Sequence, residues 1–179
     1  HLALYNEDNN SEIVNWTTTK DYFNLPSLGA GNYYIKELKA PDGYYVAPDL
    51  HFSVDSQGKI SSNSIFVDIQ NNTINIVDNI TSINIRKTNL DGSLNLAGAN
   101  LQIIEADESG KPSTDKTGKE VIVGTIETQK ENTIIQGLKI GTYILREISA
   151  PSGYLLTEDI VFKINEDGTV TSTASSDGS

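Results

Sequence analysis

The chain has 179 residues, with 13 Lys and Arg against 24 Asp and Glu, and its formal net charge of −11 sets it against polyanionic partners such as nucleic acid. It contains no cysteine, which excludes disulfides, thiolate metal sites and a thiol nucleophile together, and its two histidines, His1 and His51, are too far apart in sequence to suggest a metal site or a catalytic triad. No stretch approaches the roughly 20 apolar residues of a membrane helix, while short regular runs of Tyr, Ile, Val and Leu argue against disorder.

Beginning at His1 and lacking methionine, the chain reads as a processed product or an excised piece, with any export signal removed or outside it. The sequence predicts strands almost throughout. Leu25-Pro26-Ser27-Leu28-Gly29 superficially resembles a sortase recognition motif but lacks its Thr, and a loop is predicted there. Asp-Ser-Gln-Gly at 55–58 is turn chemistry, followed by alternation in Thr73-Ile74-Asn75-Ile76-Val77 and again in Ser82-Ile83-Asn84-Ile85-Arg86. Asn-Leu-Asp-Gly at 89–92 is a further turn, and Val161-Phe162-Lys163-Ile164 a further strand, ending in the turn Asn-Glu-Asp-Gly at 165–168. The tail from Thr171 to Ser179 is rich in Ser and Thr and is predicted to be a flexible connection.

Internal repetition organises these elements. Residues 31–60 align with residues 141–170 without a gap at an offset of 110. Gly31/Gly141, Tyr33/Tyr143, Glu37/Glu147, Pro41/Pro151, Gly43/Gly153 and Tyr44/Tyr154 are among the identities, which concentrate on turn residues and aromatics. Two copies of one domain follow, each a β-sandwich of short strands and regular turns. The boundary falls near Asn79-Ile80-Thr81-Ser82 with no Gly/Pro/Ser-rich linker, so residues 1–80 and 81–179 are expected to form a stiff, elongated pair joined end to end.

The run Tyr-x-x-x-Glu-x-x-Ala-Pro-x-Gly-Tyr at 33–44 and 143–154 resembles the signature of Cna B-type (SpaA-like, prealbumin-like) domains of Gram-positive pilins and surface adhesins. Ile83 to Asn89, followed by Leu96-Ala97-Gly98-Ala99-Asn100-Leu101, looks like that family's opening strand, its Lys and the Gly-Ala before the second strand. Ile74-Asn75-Ile76-Val77-Asp78 looks like its closing strand. The resemblance implies an all-β chain of two tandem Greek-key sandwiches, Ig-like and prealbumin-like. It also implies an isopeptide bond within each domain, from an opening-strand Lys to a closing-strand Asp or Asn, promoted by a Glu. Residue by residue, Lys87 is then the second domain's nucleophile and Glu147 its proton-handling carboxyl, while Glu37 is the first domain's carboxyl and Asp78 its acceptor.

Those residue types suit the chemistry. A lysine attacks a carbonyl only when neutral, and burial disfavours its ammonium form. The same burial raises a carboxyl's pKa, so a glutamate there can stay protonated and donate to the acceptor carbonyl. Holding amine and carbonyl in contact supplies effective molarities on the order of 10⁵ M or more. The event happens once per domain, so no enzyme turnover is expected.

Each domain departs from that pattern by one partner. By the offset of 99 that relates His1-Leu2-Ala3-Leu4 to Asn100-Leu101-Gln102-Ile103, the first domain's opening strand and lysine would precede His1. The second domain's acceptor strand would follow Ser179. An excised fragment, strands supplied by other chains and noncovalent packing alone each account for this. An open sheet edge invites association, so end-to-end pairing that brings Lys87 of one copy to Asp78 of another is also open.

Tyr33, Tyr44, Tyr143 and Tyr154 are expected in the core. Asp8, Asp91 and Asp167 lie in turns without a full calcium-loop spacing, and neither metal nor cofactor is expected. The function implied is a structural stalk or pilin segment, outside the cell on a Gram-positive wall, anchored and exported by segments outside this piece. Its partners would be other domains or subunits of a pilus or adhesin. An adhesin module binding a host protein or glycan is the alternative, with Trp16 and Tyr44-Tyr45 its candidate loop aromatics. A two-carboxylate glycosidase is disfavoured because the best carboxylates recur once per domain.

Overall fold

The structure is a computed structural model that describes residues 1–19, 21–64, 67–70 and 73–172, and every regular element among them is a strand. Contacts divide the chain into two compact units, His1–Asn79 and Ile80–Ser179.

Unit 1 contains β1 (Leu2–Asn6), β2 (Glu12–Trp16), β3 (Gly31–Glu37), β4 (Tyr44–Tyr45), β5 (Leu50–Val54), β6 (Ile60–Ser61), β7 (Val67–Gln70) and β8 (Thr73–Ile76). Five of them form an antiparallel sheet in the order β2-β1-β3-β5-β6, and β7 pairs with β8 as a hairpin. Alternation makes one face of the large sheet apolar: Leu2, Leu4, Tyr33, Ile35, Leu50, Phe52 and Val54 are buried together. Ile74 and Ile76 of β8, with Leu25 and Leu28 from the loop before β3, close over that face.

A two-residue strand, β9 (Asn79–Ile80), spans the boundary between the units. Unit 2 continues with β10 (Ser82–Ile85), β11 (Asn100–Ala106), β12 (Ile122–Glu127), β13 (Thr133–Gln136), β14 (Gly141–Ser149), β15 (Ile160–Ile164) and β16 (Val170–Ser172). Its five-stranded sheet, β12-β11-β14-β15-β16, repeats the order of unit 1. The repetition extends to defects, since the bulge between Leu4 and Tyr5 recurs between Ile103 and Ile104. Here the second layer is β10 paired with β13, which brings Ile83, Ile85 and Ile135 onto Leu101, Ile103, Tyr143, Phe162 and Ile164. Each such fully buried side chain contributes about 1.5–3 kcal/mol. The fold is therefore all-β in both copies, with the two cores built on the same positions.

The turns follow from the sequence. In 55–58, 89–92 and 165–168 the Gly N–H bonds the carbonyl of the first residue at 3.0 Å, and each Gly takes a left-handed φ of +71° to +80° that a side chain would strain. Thr171 and Ser172 belong to β16, so the tail is regular that far; its remainder, 173–179, lies outside the described residues.

Tyr44 and Tyr154 correct the expectation of four core tyrosines. Tyr33 and Tyr143 are buried, but Tyr44 and Tyr154 are 37% and 43% exposed. Each follows the turn Pro-x-Gly, donating its N–H to the proline carbonyl, and that turn carries the ring away from the sheet. Trp16 is likewise not a loop aromatic: it ends β2, packs against the unit 1 core and stacks on Phe23 at 4.5 Å.

Candidate functional site

Period-two alternation places a carboxyl in each core. Along β3, Tyr33, Ile35 and Glu37 point inward, and along β14, Tyr143, Leu145 and Glu147 do the same, so the four-residue spacing from Tyr to Glu keeps both on one face. Glu37 and Glu147 are each only 6% exposed. Cross-strand register is repeated as well, Glu37 facing Leu2 and Glu147 facing Leu101.

In unit 2 the same alternation runs Ile83, Ile85, Lys87, so the lysine follows the two buried isoleucines toward the core. Its Nζ donates to Glu147 Oε2 at 3.2 Å, with side chains 14% and 1% exposed. Glu147 Oε2 also accepts the Thr157 backbone N–H at 2.8 Å and the Thr157 hydroxyl at 3.0 Å. Glu147 Oε1 is buried and accepts no hydrogen bond, a costly state for a carboxylate oxygen. Burial pushes the Glu147 carboxyl up, but the Thr157 donors and the Lys87 ammonium together hold it below the ordinary value. A cation and two donors on one oxygen outweigh desolvation there, which favours the charged form of the carboxyl.

Unit 1 presents the opposite electrostatics. Glu37 Oε2 accepts the Ala47 N–H at 2.7 Å, and among the described residues no lysine acts on it. Burial raises the Glu37 carboxyl, the Ala47 donor lowers it, the nearby Asp78 charge raises it again, and the net shift is upward. Asp78 is half-buried and continues the inward alternation of Ile74 and Ile76. The structure thus brings Lys87 to Glu147 and Asp78 near Glu37, the lysine in unit 2 and the aspartate in unit 1.

Thr157 and Ala47, the residues ten places after each glutamate, carry no signal in sequence: one acts mainly and the other wholly through a backbone N–H. Among the described residues no group of acidic or histidine side chains is arranged to hold a metal ion.

A second arrangement lies on the outer face of the unit 1 sheet. Tyr5 and Tyr34 stack at 5.0 Å, Tyr34 meets His51 at 5.6 Å, and His51 Nδ1 lies 3.0 Å from Glu7 Oε1. The cross-strand counterparts in unit 2 are Ile104, Ile144 and Val161.

The arrangement can be set beside known proteins. No curated protein sequence matches the chain. A C-terminal fragment of the pilus adhesin SpaC from Lactobacillus rhamnosus GG aligns at 19% identity over 96% of this chain and 76% of its own, with a TM-score of 0.37. The Bacillus anthracis TIE protein aligns at 24% identity over 93% of this chain, with a TM-score of 0.40, and a Streptococcal ancillary pilin at 22% over 93%, with a TM-score of 0.38. The chain spans 28% and 53% of those two proteins. A family model, the SpaA prealbumin-like fold domain, matches residues 1–73 and again residues 81–178. With both copies matched over nearly their whole length, the chain belongs to the SpaA prealbumin-like fold domain family.

Proposed function

We propose that the chain is a structural stalk or pilin segment of a Gram-positive cell-surface protein, whose domains are closed by isopeptide bonds that form once and are not turned over. The observation that carries this reading is the buried carboxyl at one place in both copies, touching a lysine in unit 2 and lying near an aspartate in unit 1. Its location would be extracellular, with other pilus or adhesin subunits as neighbours.

The chemistry starts from the Lys87–Glu147 ion pair. A closing strand laid over unit 2 would exclude water, favouring transfer of the Lys87 proton to Glu147, since a neutral amine and acid lose less on desolvation than two ions. The free amine attacks the side-chain carbonyl of an Asn or Asp on that strand; Glu147 gives its proton to the leaving group and takes up the one that the attacking nitrogen sheds. The C–N amide bond forms, and ammonia leaves from Asn or water from Asp. Oε1, which accepts no hydrogen bond here, is the oxygen that faces no other donor and is free to take part. In unit 1 Glu37 would serve Asp78 in the same way, its raised pKa suiting a proton donor. A covalent tie between first and last strands carries tension applied at the termini without unzipping the sheet.

The test is a tryptic map of the protein isolated from the surface of the organism that makes it. Lys87 in an isopeptide bond resists cleavage and appears in a branched peptide; ordinary cleavage after Lys87 overturns the reading for unit 2. For this chain alone, the intact mass under denaturing conditions is expected to equal the sequence mass.

The Tyr5–Tyr34–His51 stack favours a second reading, an adhesin module that binds a host protein or glycan through the outer sheet face. Loss of host-cell adherence on Tyr34→Ala, with the fold intact by circular dichroism, is the result that would promote it.

A further inference from the structure

The two copies treat one surface differently. In unit 2 the 107–121 loop reaches the outer face of the sheet, and a Cβ on Gly110 would stand 3.1 Å from Val161 Cγ2. At the offset of 110 the counterpart of Val161 is His51, and unit 1 has only the tight turn 7–11 in place of that loop. A hollow of about 350 Å³ lies there instead, lined by Glu7, Asn32, Asp49, His51, Ser61 and Asn63 among others.

His51 is held as a wall of this hollow. Its ring ends a file across three strands, Tyr5 on β1, Tyr34 on β3 and His51 on β5, and its Nδ1 lies 3.0 Å from Glu7 Oε1. The polar groups beside it are uncommitted. In unit 2 Arg146 grips Asp159, whose counterpart is Asp49. Among the described residues Asp49 makes no ion pair or hydrogen bond, and neither do the side-chain amides of Asn32 and Asn63. The hollow thus offers an aromatic ring, a carboxylate that only accepts and two amides that donate and accept. Sugar hydroxyls need both kinds of partner, and a pyranose turns an apolar C–H face to the negative face of an aromatic ring. An anionic ligand would meet Glu7 and Asp49 in a chain of net charge −11. Because β5 lies between β3 and β6, and the His51 carbonyl accepts the Ser62 hydroxyl, a peptide strand would have to displace β6 to pair there.

We propose that this hollow binds an uncharged saccharide, one pyranose ring stacking on His51 while its hydroxyls bond Asp49 and Asn32. The use of the site in adherence rests on the adhesin reading, within which it selects glycan over protein as the ligand.

The probe is an array of neutral oligosaccharides of galactose, mannose, fucose and N-acetylhexosamines, with their sialylated and sulfated forms alongside, read with the labelled full chain. Saturable binding to at least one neutral structure is expected, with its acidic forms bound more weakly. Calorimetric affinity for that structure should fall about tenfold or more in His51→Val, which installs the unit 2 residue, and in Asp49→Ala. His51→Phe, which keeps a ring, should retain most of it. Both positions are exposed, and an unmoved unit 1 unfolding transition checks the fold of each variant. An array without a bound neutral structure, preference for the acidic forms, affinity unmoved in His51→Val and Asp49→Ala, or equal losses in His51→Phe and His51→Val overturns the proposal. Host-cell adherence separates it from the adhesin reading. Adherence lost in Tyr34→Ala but surviving periodate cleavage of cell-surface glycans, with the array empty, overturns the saccharide site and keeps that reading with a protein ligand. Array binding with the stated dependence, and adherence unchanged in Tyr34→Ala, keeps the site and removes that reading.

Discussion

Two glutamates at one position of one fold have opposite electrostatics, and the difference lies in what faces them. Glu147 has Lys87 and Thr157 on Oε2, while Glu37 has the Ala47 N–H and the charge of Asp78. The pH dependence follows with opposite signs. Glu147 is lowered on folding, so its contribution is present above the ordinary glutamate range and is lost as pH falls through the folded pKa. Glu37 is raised, so its contribution is full below that range and is lost as pH rises through the folded pKa. Thermal unfolding followed from pH 3 to pH 8 should show the unit 2 transition rising and the unit 1 transition falling over the acid part of that span. Glu37→Gln should flatten the unit 1 dependence, and an unchanged slope would show that another group sets it. Lys87→Met strands the Glu147 charge in a nearly dry site and should cost unit 2 about 3 kcal/mol, measured by denaturant unfolding, with much of the loss recovered in Lys87→Met/Glu147→Gln.

At the scale of elements, pairing decides what a run of residues becomes. Thr133–Gln136 is a strand because β10 lies beside it, whereas the counterpart 23–26 packs its Leu25 on the core without a ladder, and Pro26 stands where Gln136 does, with no N–H to give. The copies also differ in one excursion. Residues 7–11 form a tight turn in unit 1, while 107–121 form a longer loop tied to β11 by Ser113 N–H to Glu105 O and by Glu105 N–H to Val121 O. Arg146 anchors it, bridging Glu120 at 2.6 Å and Asp159 at 2.9 Å. Ile104 and Ile144, on the outer face of the sheet, are buried at 0% and 3% exposure. Gly110 sits at the tightest point: its φ is +81°, and a Cβ there would lie 3.1 Å from Val161 Cγ2. Gly110→Ala should therefore cost unit 2 more than the about 1–2 kcal/mol of left-handed strain, whereas Gly118→Ala, at φ +82° with nothing within 4 Å, should cost the strain alone. Equal losses in equilibrium unfolding would show that the loop yields to the methyl group.

At the scale of the whole molecule the chain is one domain written twice, with complementary second layers: β7–β8 in unit 1 and β10–β13 in unit 2. Each unit has its own core, and no residue of one core belongs to the other. Ile103→Ala, at a fully buried position, should cost about 2–5 kcal/mol. That loss should appear in the unit 2 transition of a calorimetric scan with the unit 1 transition unmoved; a shared shift would show that the copies unfold as one.

The sequence by itself determined the repeat, the strands, the turns and the residues that enter each core, because alternation and turn chemistry are local. Ile74 and Ile76, Ile83 and Ile85, and the Tyr-x-x-x-Glu spacing all state their faces through period two. The same locality made Glu37 and Glu147 legible as a pair of equivalent carboxyls. Their charge states were not legible. Those depend on Lys87, sixty residues from Glu147, and on backbone N–H groups of Ala47 and Thr157 that no side chain announces. Tyr44 and Tyr154 were misplaced for a related reason, since a turn of positive φ at the preceding glycine redirects a ring that composition alone assigns to the core. Only the tertiary structure decided which oxygen of Glu147 is engaged and which is not, and that Glu37 feels the charge of Asp78, because both are set by which distant segments come to lie together.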